Sequence, residues 1–330
     1  MSKNKKKVVL LLTHSKDYYT IDRVEEAISR QGFRPFRFNT DQFPQEIRLS
    51  IGIDSREIHS TLTNGRDEKA LDPGDVYSVW LRKIGSPQID KDMDPLLRNG
   101  CINESRHTLG IFLNLLDRVR WIDPAAQVRK IENDKFFQLQ AAQSVGILTP
   151  ITLITNDPVK LRHFYEQRQG NIIAKMLTPL TISMEGNTPF VYTRRVQEED
   201  LNDADLLRYS PMVFQEYISK EYELRIIYVD GDLYTGAVLS RALPEDDGAD
   251  WRAAKSEEFR WECFNVPGDL ARKIRKLMKT LGLCFGALDV ILTPDGRYFF
   301  LEVNPTGEWG MLERDLELPI SNAIARALTR

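Results

Sequence analysis

The sequence has few of the residues that build disulfide frameworks and transition-metal sites. Among 330 residues there are 3 cysteines and 4 histidines. The cysteines, Cys101, Cys263 and Cys284, are odd in number and far apart, which suits a reducing cytosol better than a disulfide framework. The histidines are scattered without the spacing that a metal site requires. We therefore expect a cytoplasmic protein that is stabilised by its apolar core.

Long hydrophobic runs and a strong charge of one sign are also lacking. The basic N-terminus precedes an apolar run of residues 8–12 only, whereas a secretory signal needs roughly 7–15 apolar residues. A membrane-spanning helix needs about 20. The formal net charge is −3, which gives no electrostatic reason to expect a nucleic-acid partner. We expect a soluble protein whose partners include neither a membrane nor a nucleic acid.

Two common nucleotide-binding motifs do not occur. The sequence contains neither G-x-G-x-x-G nor the P-loop pattern G-x-x-x-x-G-K-[ST]. Both motifs place backbone amides against phosphates at a helix N-terminus. Their absence argues against a Rossmann dehydrogenase and against a P-loop enzyme.

Alternating strand and helix patterns run along the chain, as is typical of α/β proteins. A chain of 330 residues is long enough for two or three domains. The patterns predict three α/β units, at residues 1–125, 126–215 and 216–330. Within these units they predict strands over residues 8–12, 34–38, 76–83, 151–155 and 172–176, and helices over 20–32, 99–120, 130–145 and between the last two strands.

Two apolar, β-rich runs flank a Thr-Pro-Asp-Gly turn at residues 293–296, which predicts a hairpin. If Asp295 and Gly296 form a two-residue loop, Asp289 lies directly opposite Glu302. Asn304 lies on the same face as Glu302, because strand side chains alternate between faces.

Directly opposed like charges destabilise a strand pair, so the two acids require a cation. Oxygens of Asp289, Glu302 and Asn304 are suitable Mg²⁺ ligands beside a phosphate. The alternative is a solvated outer face, which the apolar residues at the alternate positions disfavour.

Two lysines are candidate phosphate ligands. Lys175 lies inside an apolar run, where a lysine is costly unless it meets an anion. Lys135 lies in the predicted helix over residues 130–145, where a solvent-facing lysine is common. Lys175 is therefore the more specific signal.

A predicted strand ends in residues 215–218, a stretch that can serve as a hinge between two units. Backbone groups of a hinge can pair with the edge of an adenine, and Glu223 and Arg225 follow after a short polar segment. Glu223 could accept from a ribose hydroxyl, and Arg225 could meet a phosphoryl oxygen. The alternative is an ordinary loop with a surface salt bridge. The four hinge residues are Gln215, Glu216, Tyr217 and Ile218.

The chain resembles the ATP-grasp superfamily in the order of its candidate residues. The order is Lys135, Lys175, the hinge, Glu223, Asp289 and finally the E-x-N pattern of Glu302 and Asn304. The resemblance covers the whole chain, with residues 1–125 matching the pre-ATP-grasp domain. It implies an α/β (α+β) ATP-grasp fold that binds ATP between the central and C-terminal domains.

More narrowly, the chain resembles the graspetide synthetases, the microviridin-type peptide macrocyclases. This resemblance is carried by VVLLLTHSKDYYTIDRV, FRFNTDQFP, VWLRK, KMLTPLTISMEG, PMVFQE, ELRIIYV, DWR, FGALDVILTPDGRYFFLEVNPTGEW and GMLERDLELPIS.

The resemblance implies ATP- and Mg²⁺-dependent activation of Asp or Glu side chains in a precursor peptide. The resulting acyl phosphate would be attacked by a Thr or Ser hydroxyl, closing an ω-ester, or by a Lys amine, closing an ω-amide. It also implies a homodimer. The choice between ester and amide stays open.

The resemblance further implies roles for individual residues. Lys175, Arg225 and Arg241 would act at the reacting groups. Glu199, Asp200 and Asp203 would bind the leader of the precursor, and Asp250, Trp251 and Arg252 would contact its core. The alternative for the three acidic residues is a solvated helix face, and the alternative for Arg252 is a surface arginine.

Two other functions are considered. A ligase of the glutathione synthase or ribosomal-protein glutamyl ligase type would use the same metal and nucleotide residues. A nucleotide-binding regulatory module without catalysis is disfavoured, because every expected ligand type is present.

Overall fold

A computed structural model describes residues 7–55, 57–64, 70–176, 193–239 and 260–330. The strands are β1 (Val8–Thr13), β2 (Arg34–Asn39), β3 (Ile47–Ile53), β4 (Ile58–Asn64), β5 (Val76–Leu81), β6 (Arg120–Ile122), β7 (Thr152–Thr155), β8 (Ile172–Lys175), β9 (Arg194–Arg195), β10 (Met212–Glu216), β11 (Tyr222–Val229), β12 (Asp232–Leu239), β13 (Glu262–Cys263), β14 (Phe285–Leu292) and β15 (Tyr298–Asn304). The α-helices are α1 (Tyr19–Arg30), α2 (Pro95–Asn114), α3 (Ala125–Asn133), α4 (Lys135–Ser144), α5 (Pro158–Gln167), α6 (Gly268–Leu281), α7 (Gly310–Leu316) and α8 (Ile320–Thr329).

The N-terminal unit is built on a parallel sheet in the order β2-β1-β5-β6. Every residue of β1 is buried, as expected for a parallel strand that is covered on both faces. The predicted strands over residues 8–12 and 34–38 are confirmed. A hairpin of β3 and β4, which was not predicted from the sequence, is inserted before β5.

The long helix of this unit differs from its prediction over residues 99–120. It begins at Pro95 because the side chain of Asp94 accepts hydrogen bonds from the Leu96 and Leu97 amides and caps the first turn. It ends at Asn114, and residues Arg120–Ile122 instead form β6 beside β5.

The predicted helix over residues 130–145 is two helices. Asp134 separates α3 from α4 with a non-helical backbone (φ −125°, ψ 74°), and its carboxylate accepts from the Phe137 amide. An Asp in this position favours a new N-cap over continuation of the helix. Lys135 therefore lies in the first turn of α4.

The central unit contains an antiparallel sheet in the order β7-β10-β8-β9. Helix α5 and a 3₁₀ helix, Glu198–Tyr209, pack against it. The predicted strands over residues 151–155 and 172–176 are both present, each shorter by one residue.

The C-terminal unit is a five-stranded antiparallel sheet in the order β13-β12-β11-β14-β15. One face buries Leu224, Ile226 and Leu288 against α4 and α6. The other face buries Ile227 and Phe285 against α8 and the parallel sheet of the N-terminal unit. The apolar core thus continues across the unit boundary predicted at residue 125.

Among the described residues, no helix is both long and apolar enough to cross a membrane.

Candidate nucleotide and metal site

The acids at the centre of the site lie opposite each other on β14 and β15. Asp289 pairs with Glu302 in the strand register, and Arg225 of β11 pairs with Asp289 from the other side. Asn304, two residues beyond Glu302, directs its amide nitrogen at both carboxylates, at 3.4 Å from Asp289 Oδ2 and 3.3 Å from Glu302 Oε1. The predicted opposition of the two acids is confirmed.

The loop that leads to this register is not the one predicted. Thr293 and Arg297 close a three-residue loop through a hydrogen bond from the Thr293 amide to the Arg297 carbonyl. Gly296 lies in it at φ 82°, a conformation that glycine adopts without strain. The pairing then shifts by one residue between Asp289 and Val290. This bulge offsets the longer loop, so the two differences cancel at the acids.

Each acid contacts a cation in this structure. Arg225 Nη1 lies 2.7 Å from Asp289 Oδ1, and both residues are buried, with 5% and 8% of their surface exposed. Lys135 Nζ lies 2.7 Å from Glu302 Oε2. Asp289 is buried and Glu302 is half-buried, and two opposed carboxylates in such surroundings require compensating positive charge.

Helix α4 places Lys135 against β15. The buried amide of Gln138 accepts from the Val303 amide at 2.8 Å and donates to the Val303 carbonyl at 3.1 Å. Val303 lies between Glu302 and Asn304, so this clamp holds the strand where its polar side chains emerge. Lys135 lies one turn earlier on the same face of the helix and reaches Glu302.

Lys135 and Glu302 line a narrow cleft together with Lys175 and Gln215. Gln215 is 4% exposed and donates to Thr152 Oγ1 at 2.9 Å. Within the described part of the chain, its Oε1 atom accepts no hydrogen bond. A buried acceptor without a partner is costly unless a ligand or water supplies the donor. The structure therefore brings the two predicted lysines, one hinge residue and one predicted metal ligand to the same cleft, which we call the nucleotide cleft.

The rest of the hinge is partly engaged within the protein. Glu216 accepts from the Ile151 amide through its carboxylate and donates its own amide to the Ile151 carbonyl, both at 2.9 Å. The Tyr217 amide donates to Asn171 O at 2.8 Å. Ile218 follows at a half-buried position. The backbone amides of Glu216 and Tyr217 thus already donate to carbonyls of the protein, and the contact of the hinge with a base stays a prediction.

Glu223 lies near the start of β11, two residues before Arg225. Its carboxylate is 2.6 Å from Lys220 Nζ. The structure thus contains a salt bridge, as the alternative considered from the sequence expected, but at a half-buried position and not at the surface.

The predicted acidic helix is the 3₁₀ helix Glu198–Tyr209. Asp200 accepts from the Gln197 amide at 2.8 Å and pairs with Arg194 at 2.9 Å, so its carboxylate caps the helix. Glu199 and Asp203 are exposed. Asp200 and Asp203 border a second cleft of about 370 Å³ with an apolar floor that includes Phe214.

Four predicted residues lie outside the described residues: Arg241, Asp250, Trp251 and Arg252. Among the residues that are described, no group of three or more His, Cys, Asp or Glu side chains could hold a metal ion. The candidate metal site is instead two acids and one amide.

A basic pair at the end of β5 was not predicted from the sequence. Arg82 and Lys83 both contact the carboxylate of Glu308, in the loop after β15. Burial would raise the pKa of Glu308, but the charges of Arg82 and Lys83 outweigh it and lower the pKa. Two basic residues directly after a buried parallel strand are a signal for the carboxyl edge of the sheet, where ligands of α/β proteins bind.

Comparison with known proteins places this geometry in a family. A family model described as the MvdD pre-ATP grasp domain matches residues 8–129. No curated protein matches the chain. Macrocyclase MdnB from Microcystis aeruginosa MRC is 43% identical over 98% of this chain and 99% of its own, with a TM-score of 0.80.

Two further solved structures are similar over nearly their full length. Macrocyclase MdnC, bound with the precursor peptide MdnA from Microcystis aeruginosa MRC, is 33% identical over 97% of this chain and 99% of its own, with a TM-score of 0.85. A Chryseobacterium gregarium RiPP-associated ATP-grasp ligase, in complex with ADP and a leader and core peptide, is 31% identical over 98% and 96%, with a TM-score of 0.88.

The fold and these similarities define an ATP-grasp ligase. Within that class, the chain belongs to the microviridin-type graspetide synthetases, the ATP-grasp peptide macrocyclases. The predicted fold class, enzyme class and family are confirmed.

Proposed function

We propose that this protein uses ATP and Mg²⁺ to macrocyclise a ribosomally made precursor peptide. It phosphorylates Asp or Glu side chains and joins them to Thr or Ser hydroxyls as ω-esters, or to Lys amines as ω-amides. The observation that carries the proposal is the row Arg225, Asp289 and Glu302 across three strands beside the nucleotide cleft. The complexes of the relatives with ADP and with precursor peptides support the same substrates.

The residues present fit a nucleotide with its metal ion. Asp289, Glu302 and Asn304 would hold Mg²⁺, which supplies positive charge to the phosphates. The Asn304 amide now points its nitrogen at the acids, and rotation about its last bond would present its oxygen. Lys135 and Lys175 lie where they can bind phosphate oxygens.

Gln215, which lines the nucleotide cleft, supports a base in that cleft. Its Oε1 atom, which has no partner among the described residues, suits an exocyclic amino group of a purine. Glu216, Tyr217, Ile218 and Glu223 are proposed for the base and ribose on the evidence of the family pattern. Arg225 is proposed to stabilise charge on the transferred phosphoryl group.

The residues proposed to contact the precursor peptide form two groups, one for its core and one for its leader. Arg241, Asp250, Trp251 and Arg252 are proposed to contact the core. Glu199, Asp200 and Asp203 are proposed to bind a basic residue of the leader. Asp200 and Asp203 border one cleft, and Glu199 is exposed next to Asp200 in the same 3₁₀ helix. A homodimer and a cytoplasmic location are also proposed. All three cysteines are free thiols, which is consistent with a reducing compartment.

The intact mass of a precursor peptide, after incubation with the protein, ATP and Mg²⁺, tests the proposal. We expect the loss of one water per ring with the wild type and none with Glu302→Gln. Glu262→Gln is the matched control, because Glu262 is exposed on the same sheet at β13. A gain of amino-acid masses would favour the glutamyl-ligase alternative, and an unchanged peptide with all three proteins would contradict the substrate assignment.

A further inference from the structure

Arg82 is a buried arginine for which neither the sequence patterns nor the family pattern gave a role. It follows β5 at the carboxyl edge of the N-terminal parallel sheet, and its amide donates to Leu12 O at 3.0 Å. Its surface is 1% exposed. A guanidinium at this depth is stable only where acceptors surround it.

The acceptors come from both the N-terminal and the C-terminal unit. Arg82 Nη1 donates to Thr306 O at 2.7 Å, and Nη2 donates to the Glu308 carboxylate. Its Nε atom lies 3.6 Å from Asp17 Oδ2. Asp17 is in turn held by the hydroxyls of Thr13 and Thr20, each at 2.7 Å.

The segment that Arg82 holds is residues 305–309, which we call the β15 loop. It begins directly after Asn304, and the Gly307 amide donates back to Asn304 O at 3.0 Å. The Glu308 carbonyl accepts from Arg225, at 3.1 Å from Nη2 and 3.3 Å from Nε. Arg225 donates to Asp289 at 2.7 Å.

The β15 loop has little room to find another position. A Cβ atom on Gly307 would lie 2.9 Å from Arg225 Nη2 and 2.5 Å from Ala287 Cβ. The loop backbone is therefore packed directly on the guanidinium that orients Asp289. A small displacement of the loop must move Arg225 or break its bonds to Glu308 O.

We propose that Arg82 is a positioning residue for the metal site. By binding Thr306 O and the Glu308 side chain it fixes the β15 loop, which fixes Arg225 and so the orientation of Asp289. The N-terminal unit thereby takes part in metal binding without a ligand of its own. This inference rests on the proposed function, because it concerns the Mg²⁺ site on Asp289, Glu302 and Asn304.

The test is the Mg²⁺ dependence of ADP binding without peptide, measured by calorimetry on the full chain. Loss of a group that orients a metal ligand costs roughly 10–100-fold in metal affinity. We expect Arg82→Met to raise the half-saturating Mg²⁺ concentration by about that factor and to leave metal-free ADP binding unchanged. Arg82→Lys, which retains the charge, should lie between it and the wild type.

Arg120→Met is the matched control. Arg120 also joins the N-terminal unit to the C-terminal unit, through Asp230 at 2.8 Å. Asp230 directly follows the last residue of β11, whereas Arg225 lies in the middle of that strand. A general loss of stability would affect both variants, whereas only the Arg82 variants should change the Mg²⁺ dependence.

These measurements distinguish a failure of the positioning role of Arg82 from a failure of the proposed macrocyclase function. If Arg82→Met keeps the Mg²⁺ dependence of the wild type, or if Arg120→Met shifts it equally, Arg82 is not a positioning residue and the proposed function stands. If Arg82→Met does not fold, Glu308→Gln weakens one acceptor of Arg82 and should still raise the half-saturating concentration; an unchanged value overturns the inference. A wild type that binds ADP without any response to Mg²⁺ overturns both proposals.

Discussion

At the scale of single residues, Gln215 shows how a side chain can mark a ligand site. Its Nε2 atom is bound to Thr152, and its Oε1 atom is buried without a protein partner among the described residues. Such an orphan acceptor is rare in a folded interior and requires a specific reason. The proposed nucleotide would supply one, with a purine amino group near Lys135 and Lys175.

Gln215→Leu therefore should weaken ADP binding, because the leucine cannot accept the hydrogen bond. The net value of such a bond is about 0.5–1.5 kcal/mol, and 1.4 kcal/mol corresponds to about tenfold in affinity. Calorimetric titration with Mg²⁺ and ADP measures the change.

The matched control for this prediction is Gln143→Leu. Gln143 also donates to a threonine hydroxyl, Thr149 Oγ1 at 2.7 Å, but is not among the residues that line the nucleotide cleft. Equal affinities for the two variants would show that Oε1 of Gln215 does not meet the nucleotide.

At the scale of elements, the β15 loop and the hairpin before it decide how the acids are presented. The bulge in β15 restores the opposition of Asp289 and Glu302 after a three-residue turn. Gln138 then fixes the strand at Val303. The loop continues over Arg225, where Gly307 permits a backbone approach that any side chain would prevent.

Gly307→Ala should destabilise the protein, since its Cβ would overlap Ala287 and Arg225. Overpacking of this kind costs about 1–3 kcal/mol. Gly100→Ala, within α2 and with no atom within 4 Å of the added Cβ, should instead stabilise by about 0.5–1 kcal/mol. Urea denaturation of both variants checks the opposite signs, and a neutral Gly307→Ala would mean that the β15 loop can move aside.

At the scale of the whole molecule, the N-terminal and C-terminal units share one core. Helix α8 packs on α1, and residues of both units form one apolar cluster. Asp123, directly after β6, joins the units further by accepting from the Cys284 and Phe285 amides at 2.8 and 3.0 Å. Burial raises the pKa of this carboxyl from 3.8 to about 6, although the two amide hydrogen bonds lower it.

This shift predicts a pH-dependent loss of stability. Between about pH 4 and pH 6 the unfolded chain has released the Asp123 proton and the folded protein still holds it, so the free energy of unfolding falls as the pH rises. The shift of about two pKa units corresponds to roughly 3 kcal/mol.

Chemical denaturation of the wild type and of Asp123→Asn at several pH values measures the effect. As the pH rises from about 4 to 6, the free energy of unfolding of the wild type should fall relative to that of Asp123→Asn. Parallel curves for the two proteins would show that the pKa of Asp123 is the same in the folded and unfolded chains.

Local patterns were sufficient where the structure depends on neighbours in sequence. The apolar run of β1, the glycine that follows α1, and the hairpin of β14 and β15 are all encoded within short stretches. The alternation of side chains brought Glu302 and Asn304 to one face. The predicted boundaries of α2 and the unbroken helix over residues 130–145 were wrong, because single capping residues, Asp94 and Asp134, decide where those helices begin.

The sequence by itself determined the family, its cofactors ATP and Mg²⁺, and the opposition of Asp289 to Glu302. The first two depend on the order of residues along the chain, and the third depends on pairing across one turn. Only the tertiary structure decided which distant groups complete the site. Arg82 and Glu308 are separated by 226 positions, and Gln138 and Val303 by 165. Such contacts follow from how whole sheets and helices pack around a shared core, which no local pattern of polar and apolar residues specifies.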